Sequence, residues 1–195
     1  MTLQTRNPRD EIVLHLPALR AFALSLTRNP DRADDLVQDT VEKAWHHIAS
    51  FTPGSNLRGW LCTIMRNAYF SDFRKWRREV ADPDGVFVAR LSVRPAHDDA
   101  LAFREFLAAF AKLTPEHREI LTLVGALGFS YDEAAEVTTL ALGTVKSRLS
   151  RARTILSNLL DLQPGESPLS GPDGTIAAVL TYTPPNPAQI SRLAS

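Results

Sequence analysis

The stretch Gly143-Thr-Val-Lys-Ser-Arg-Leu-Ser-Arg-Ala-Arg153 carries Lys146, Arg148, Arg151 and Arg153 and no acidic residue. Val145 and Leu149 lie one helical turn apart, and Ala152 and Leu156 continue the same line. That spacing predicts a helix with one buried side and one basic side. Upstream stands Ser130-Tyr-Asp-Glu-Ala-Ala-Glu-Val137, where Ser130 reads as an N-cap and Glu133, three residues on, completes a capping-box pattern. A short helix, a tight connection and a basic helix make the sequence form of a helix-turn-helix. In that motif the second helix enters the major groove of DNA. Ala135 is small enough to let the two helices cross closely, and Val145 would fill the space between them. A basic run alone usually does no more than face water; the upstream spacing favours DNA. Where many such turns carry glycine, this chain has Thr139, so the turn is expected to form without an easy left-handed residue.

The chain has 195 residues, enough for one domain or two small ones, and its 44% hydrophobic content suffices for packed cores. Lys+Arg and Asp+Glu balance at 22 each, yet the charges are segregated. Asp31, Asp34, Asp35, Asp39 and Glu42 crowd one segment; Arg66, Arg74, Lys75, Arg77 and Arg78 crowd another. Such patches steer and dock partners even when the total is neutral. The lone cysteine, Cys62, cannot form an internal disulfide; its apolar surroundings predict a buried thiol and a reducing compartment. The five histidines (His15, His46, His47, His97, His117) show no metal-ligand spacing, so neither a metal site nor a cofactor is expected. An enzyme reading lacks parts: there is no phosphate-binding glycine loop and no nucleophile with a base at recognisable spacing. The polar start and the absence of a long apolar run predict a soluble cytoplasmic protein with no membrane partner.

Taken in order, Met1 to Arg9 reads as a loose start. Ile12, Val13, Leu16, Leu19, Phe22, Ala23 and Leu26 then recur at helical spacing, and Pro17 within them is expected to kink the helix or begin its main part. Asn29 and Pro30 restart the pattern as cap and first helical residue. The second helix, about Pro30 to Ser50, has lines Leu36, Thr40, Ala44, Ile48 and Val37, Val41, Trp45, which together form an apolar stripe. Asp34, Asp35, Gln38, Asp39 and Glu42 lie mostly on the other side, as the helix dipole alone would favour or as a docking face for a basic partner helix. Phe51-Thr-Pro-Gly-Ser-Asn56 reads as a loop. The third helix, about Leu57 to Arg78, packs through Leu57, Trp60, Leu61, Ile64, Met65 and Ala68. Its later part interleaves Tyr69, Phe70, Phe73 and Trp76 with cations, a mixture suited to single-stranded nucleic acid, although Trp60 and Phe73 are read as core. Periodicity fades between residues 81 and 97. A fourth helix is expected at about Asp98–Lys112, and a fifth at Pro115–Leu127, started by Thr114-Pro115 and stopped by Gly128. Beyond Leu162, recurring proline and glycine predict an extended tail interrupted by the apolar Thr175–Tyr182.

These pieces together resemble a bacterial sigma factor of the extracytoplasmic-function group. The resemblance rests on Asp34-Asp-Leu-Val-Gln-Asp-Thr40 with Ala44-Trp45, and on Phe51 followed by Asn56-Leu-Arg-Gly-Trp60-Leu with Arg66-Asn67. Leu113-Thr-Pro-Glu-His-Arg-Glu119 and Gly143–Arg153 complete it. All stand in the family's order and spacing from Ile12 to Leu160. Leu16–Ala23, Thr27-Arg-Asn-Pro30 and the Phe51–Asn56 loop resemble its general-stress-response branch.

The resemblance implies an all-α protein of two small helical domains: a sigma-2-like domain at residues 10–80, a linker at 81–97, a sigma-4-like helix-turn-helix domain at 98–162 and a tail at 163–195. It implies that Asp35, Gln38 and Asp39 dock the β′ clamp helices of core RNA polymerase, with the β flap as a second contact. Phe51, Asn67 and Ser71 would hold a flipped base of the promoter −10 element, and Arg66, Arg74, Lys75, Arg77 and Arg78 the melted strand. Lys146, Ser147, Arg148, Ser150 and Arg151 would read the −35 duplex. This division agrees with the physics: duplex is read by a helix in the major groove, and melting is offset by capture of extruded bases. The branch further implies a NepR-type anti-sigma factor. Two other readings stay open. One is a sigma mimic that binds the anti-sigma factor and no DNA, although the basic faces are present and the stretch after Leu162 is too short for a receiver domain. The other is an ordinary helix-turn-helix regulator, which leaves the acidic second helix unexplained.

Overall fold

The computed structural model describes residues 8–79 and 98–161, with side chains described for 8–75 and 104–161. The expected linker at 81–97, the tail at 163–195, most of the expected loose start and the side chains of Trp76, Arg77 and Arg78 lie outside the described residues. Seven α-helices are described, and no strand is present among these residues: α1 (Pro8–Thr27), α2 (Pro30–His46), α3 (Leu57–Glu79), α4 (Asp98–Ala111), α5 (Pro115–Leu121), α6 (Tyr131–Thr138) and α7 (Leu142–Leu159). The fold is all-α, as the periodicity predicts. Among the described residues no helix is long and apolar enough to cross a membrane.

Helices α1, α2 and α3 pack on one another as a first unit. Leu19, Phe22 and Leu26 of α1 meet Ala33, Leu36 and Ala44 of α2 and Leu61, Cys62 and Met65 of α3, all buried. Burying each large side chain contributes roughly 1.5–3 kcal/mol. Thr40 joins this core because its hydroxyl donates to the Leu36 carbonyl at 2.6 Å, leaving no polar group unsatisfied there. Cys62 is fully buried, and burial pushes its thiol pKa up to about 12.

Pro17 neither starts nor ends α1, which runs unbroken from Pro8 to Thr27. Proline is tolerated because it lies on the exposed side, where the carbonyl freed by the missing N–H can turn to water. Val13 departs from its expected place in the core: it is 60% exposed, and the neighbouring Leu14 is 63% exposed. The α2 helix ends at His46, and a turn of 3-10 helix (Ile48–Ser50) completes the segment expected as one helix. Its second apolar line also divides. Val37 and Val41 are half-buried, while Trp45 is 54% exposed.

The second unit is built from α4 to α7. Phe106 and Phe110 of α4 stack at 5.8 Å, and Ile120, Leu121 and Leu123 are buried in the same core. The α5 helix is capped by Thr114, whose hydroxyl accepts from the His117 N–H, with Pro115 in the first turn. Its continuation is a π-helical turn, Thr122–Ala126, before Gly128 at φ 67° closes it. The helix-turn-helix forms as its spacing predicts. Ser130 and Glu133 make the reciprocal capping box, and Thr139 takes the left-handed conformation at φ 55°. The Leu140 N–H donates to the Ala135 carbonyl, which closes the turn. Val145 is fully buried between α6 and α7, with Leu149, Ala152 and Leu156 behind it.

A β-branched residue in the left-handed region is strained, and glycine relieves that strain while adding entropy to the unfolded chain. Thr139→Gly is therefore expected to raise stability by about 0.5–1 kcal/mol, read as a higher melting temperature in thermal denaturation followed by circular dichroism.

Candidate functional site

Three faces and one internal junction bear the candidate residues. On α2, Asp34 is held by Arg20 of α1 through paired contacts of 2.7 Å and 3.3 Å. That anchorage leaves Asp35, Gln38 and Asp39 exposed along the helix. They do not share one hollow. Gln38 borders a shallow apolar groove with Leu16, Val37, Val41 and Trp45. Asp35 and Asp39 border a cleft of about 460 Å³ with Arg28, Arg32, Asp72 and Arg118. The apolar groove is a surface that the sequence reading assigned to the core, since periodicity cannot tell which of two adjacent stripes receives a covering helix. The exposed Trp45 and the half-buried Val37 and Val41 leave this stripe uncovered by any other helix among the described residues.

Ahead of α3, Phe51 is buried and tilted against Trp60 at 5.3 Å, so it forms the wall of its loop rather than a free ring. The loop turns through Gly54 at φ 86°. Asn56 then caps α3 by accepting from the Gly59 N–H at 2.9 Å. Asn67, Ser71, Arg74 and Lys75 are exposed on α3. Tyr69 stacks on Phe73 at 6.1 Å and donates its hydroxyl to the Leu26 carbonyl. On α7, Lys146, Ser147, Ser150 and Arg151 are exposed and Arg148 is half-buried, so the expected basic face is open to the outside.

Arg66 departs from its expected place beside these groups. It points inward, 17% exposed, and its Nε lies 2.7 Å from Oε1 of Glu119, whose side chain is 0% exposed. The geometry of this close pair misses that of a hydrogen bond, and Thr122, one turn further on, also buries a hydroxyl without a partner among the described residues. The pair joins the two units. Sequence reasoning singled out neither Glu119 nor the residue before it, Arg118, in this role.

Arg118 is 3% exposed. Its guanidinium donates to the carbonyls of Ser25 and Leu26 at the end of α1 and of Leu113 on its own side. Reciprocally, Arg28 of the first unit donates to the Ala111 carbonyl at the end of α4 at 2.7 Å. Helix C-termini present unsatisfied carbonyls and negative partial charge, which suit a cation. Burial lowers the Arg118 pKa to about 10, so the group stays charged at neutral pH. Two more contacts complete the junction. The Asn56 amide donates to Glu133 at 2.7 Å, and Arg58 lies over the Phe129 ring at 4.4 Å.

Comparison with known proteins gives the class. Residues 12–79 match the family Sigma-70 region 2, and residues 103–156 match Sigma-70, region 4. The chain is 52% identical over 176 residues to the ECF RNA polymerase sigma factor EcfG of Rhodopseudomonas palustris, covering 90% of this chain and 96% of that one. Among solved structures it is similar to the sigma factor RpoE of Bartonella quintana in complex with the anti-sigma factor NepR. That likeness has a TM-score of 0.69 and 49% identity, over 79% of this chain and 96% of the other. It is also similar to CnrH in complex with the cytosolic domain of CnrY, at a TM-score of 0.52 and 30% identity, over 78% and 86% of the two chains. The chain belongs to the sigma-70 family, within the ECF group of RNA polymerase sigma factors.

Burial raises the Glu119 pKa from 4.5 to about 7, against the opposing pull of Arg66. A carboxyl whose pKa is raised in the folded chain stabilises fold and junction fully below the ordinary value, and that contribution is lost as pH rises through the raised one. Stability is therefore expected to fall between about pH 5 and pH 8 by an amount that Glu119→Gln removes, measured as urea midpoints across that range. Replacing Arg118 by leucine removes its donors from the Ser25 and Leu113 carbonyls, while the Leu26 carbonyl keeps the Tyr69 hydroxyl. This substitution is expected to destabilise the chain by roughly 2–4 kcal/mol in the same assay.

Proposed function

We propose that this chain directs core RNA polymerase to general-stress promoters, with each exposed face serving one partner. The carrying observation is the pairing of an acidic α2 face with a basic α7 face inside a family whose members are regulatory rather than catalytic. Asp35, Gln38 and Asp39 would dock the β′ clamp helices, and the groove lined by Leu16, Val37, Val41 and Trp45 would bury an apolar strip of the same partner. Exposed aromatics at the centre of an interface contribute most of its binding energy.

Phe51 and Trp60 would wall a base pocket for the −10 element, with Asn67 and Ser71 at its polar side. Arg74 and Lys75, with Arg66, Arg77 and Arg78, would follow the melted strand. Capturing a flipped base offsets the stacking lost on melting. Lys146, Ser147, Arg148, Ser150 and Arg151 of α7 would read the −35 duplex in the major groove, positioned by the buried Val145 and Leu149 beneath them. The β flap would take a further contact, and the residues matched to the two sigma regions would act as separate modules along one promoter. A NepR-type anti-sigma factor would bind this chain as NepR binds its Bartonella relative. Nucleotide chemistry would stay with the polymerase, and the site of action would be the cytoplasm.

Run-off transcription with purified core polymerase on a general-stress promoter is expected to require this chain. Absence of any transcript, together with tight binding of a NepR-type protein, would instead favour the sigma-mimic reading. Arg148→Ala or Arg151→Ala is expected to weaken −35 duplex binding by roughly 1–3 kcal/mol where the lost contact is bidentate to a base, measured by fluorescence anisotropy at fixed salt. Asp35→Ala with Gln38→Ala is expected to reduce recovery of polymerase in a pull-down without altering the helical spectrum.

A further inference from the structure

The apolar groove on α2 has no cover among the described residues. Leu16 of α1 and Val37, Val41 and Trp45 of α2 supply its apolar lining, and Asp34, Gln38 and Glu42 its polar lining. Val13, one turn before Leu16 on α1, is 60% exposed and extends the apolar side. Val37, Val41 and Trp45 are spaced one turn apart along α2, so the stripe they make is about 12 Å long.

The chain itself carries a segment that fits this groove. Thr175-Ile-Ala-Ala-Val-Leu-Thr-Tyr182 lies outside the described residues, and none of the faces assigned above uses it. Ile176, Val179 and Leu180 stand at i, i+3 and i+4, the anchor spacing of a segment that lays one apolar face in a groove. At helical rise these eight residues measure about 12 Å, the length of the exposed stripe. Pro172 and Gly174 before the segment and Pro184-Pro185 after it confine the apolar run to that length. Residues 174–191 contain no charged side chain, so Asp34 and Glu42 repel nothing in the stretch. Arg192, the one cation beyond Leu162, follows it and complements those acids.

We infer that residues 175–182 dock in the α2 groove of their own chain and compete there with core RNA polymerase. The competition rests on the reading of α2 as the polymerase-docking face made above; the docking itself does not. The tether is long enough. The described residues end at Asp161, just past α7. The thirteen residues 162–174 span up to about 43 Å, against a radius of gyration of about 14 Å for a compact chain of this size. A short tether of this kind holds its end at an effective concentration of about 1 mM. A contact with a Kd of about 0.1 mM is then occupied roughly nine-tenths of the time. Polymerase would meet an open groove in about one chain in ten, and its apparent affinity would fall about tenfold. At micromolar chain concentration, the same segment of a second copy is outcompeted by about a thousandfold.

The test uses the full chain with bimane, a fluorophore that tryptophan quenches on contact, attached at Thr183→Cys. Cys62 is buried, with its thiol pKa pushed up to about 12, and stays unlabelled. Val179→Asp with Leu180→Asp removes two anchors and sets carboxylates against Asp34 and Glu42. This pair is expected to raise bimane emission several-fold. Trp45→Phe keeps an apolar ring, removes the quencher and is expected to raise emission as much. An excess of unlabelled chain is expected to leave the quenching unchanged. In a titration with core polymerase, the Val179→Asp, Leu180→Asp chain is expected to bind about tenfold more tightly than the parent.

Emission in the parent equal to that of the Val179→Asp, Leu180→Asp chain overturns the docking. Quenching that survives Trp45→Phe puts the segment against another tryptophan and overturns the groove as its seat. Emission that rises on adding unlabelled chain shows exchange between copies and overturns docking within one chain. Release of the segment with no gain in polymerase affinity overturns the competition. Asp35→Ala with Gln38→Ala separates the underlying reading, because it leaves the apolar lining and Trp45 in place. If that chain binds polymerase as tightly as the parent, the docking face is misassigned, whatever the bimane reports.

Discussion

The packed arrangement depends on one buried cation. Arg118 sits at the centre of the molecule and spends its donors on the carbonyls that end α1, together with one from its own unit. A buried guanidinium is tolerated only where its hydrogen bonds are supplied, and the C-terminus of a helix supplies them ready-made. The adjacent Glu119 faces the other way, toward α3. Two neighbouring residues of opposite charge thus hold the second unit to two different helices of the first. The sharpness of the Thr114-Pro115 start fixes α5 so that both point into the first unit.

The rest of the charge is sorted by helix. The α2 helix exposes acids, α7 exposes bases, and the total is neutral, so the molecule presents opposite potentials on different faces. This sorting fits a protein that meets a basic partner helix and a polyanion at once. Three helices also end without glycine. Arg28, Thr139 and Asp161 each end a helix in the left-handed conformation. At Arg28 the strained backbone coincides with a side chain that reaches the second unit.

The same residue types serve within the chain and toward partners. Arginine suits carboxylates and carbonyls alike, and within this chain Arg66 lies against the Glu119 carboxylate while Arg118 donates to backbone carbonyls. The contacts across the junction are mixed: the buried Arg118 donates to carbonyls, Arg58 lies over the Phe129 ring, and one apolar core runs through both units.

The sequence by itself determined the all-α class, the helix-turn-helix with its capping box, the helix starts at Pro30 and Pro115 and the acidic and basic faces; that Thr139 takes the left-handed conformation came from the structure. The features legible in the sequence follow from local signals: a period of 3.6, capping residues and clustered charge. It determined the family as well, through short motifs in order. Tertiary structure alone decided that Arg66 turns toward Glu119, that Arg118 caps α1, that Trp45 and Val13 stay uncovered and that Pro17 interrupts nothing. The reason is physical. Helical period names an apolar stripe but not the neighbour that covers it, and an ion pair between residues distant in the chain leaves no periodic trace. Burial of a charge depends on which helix end arrives beside it, and that is set only when the two units close.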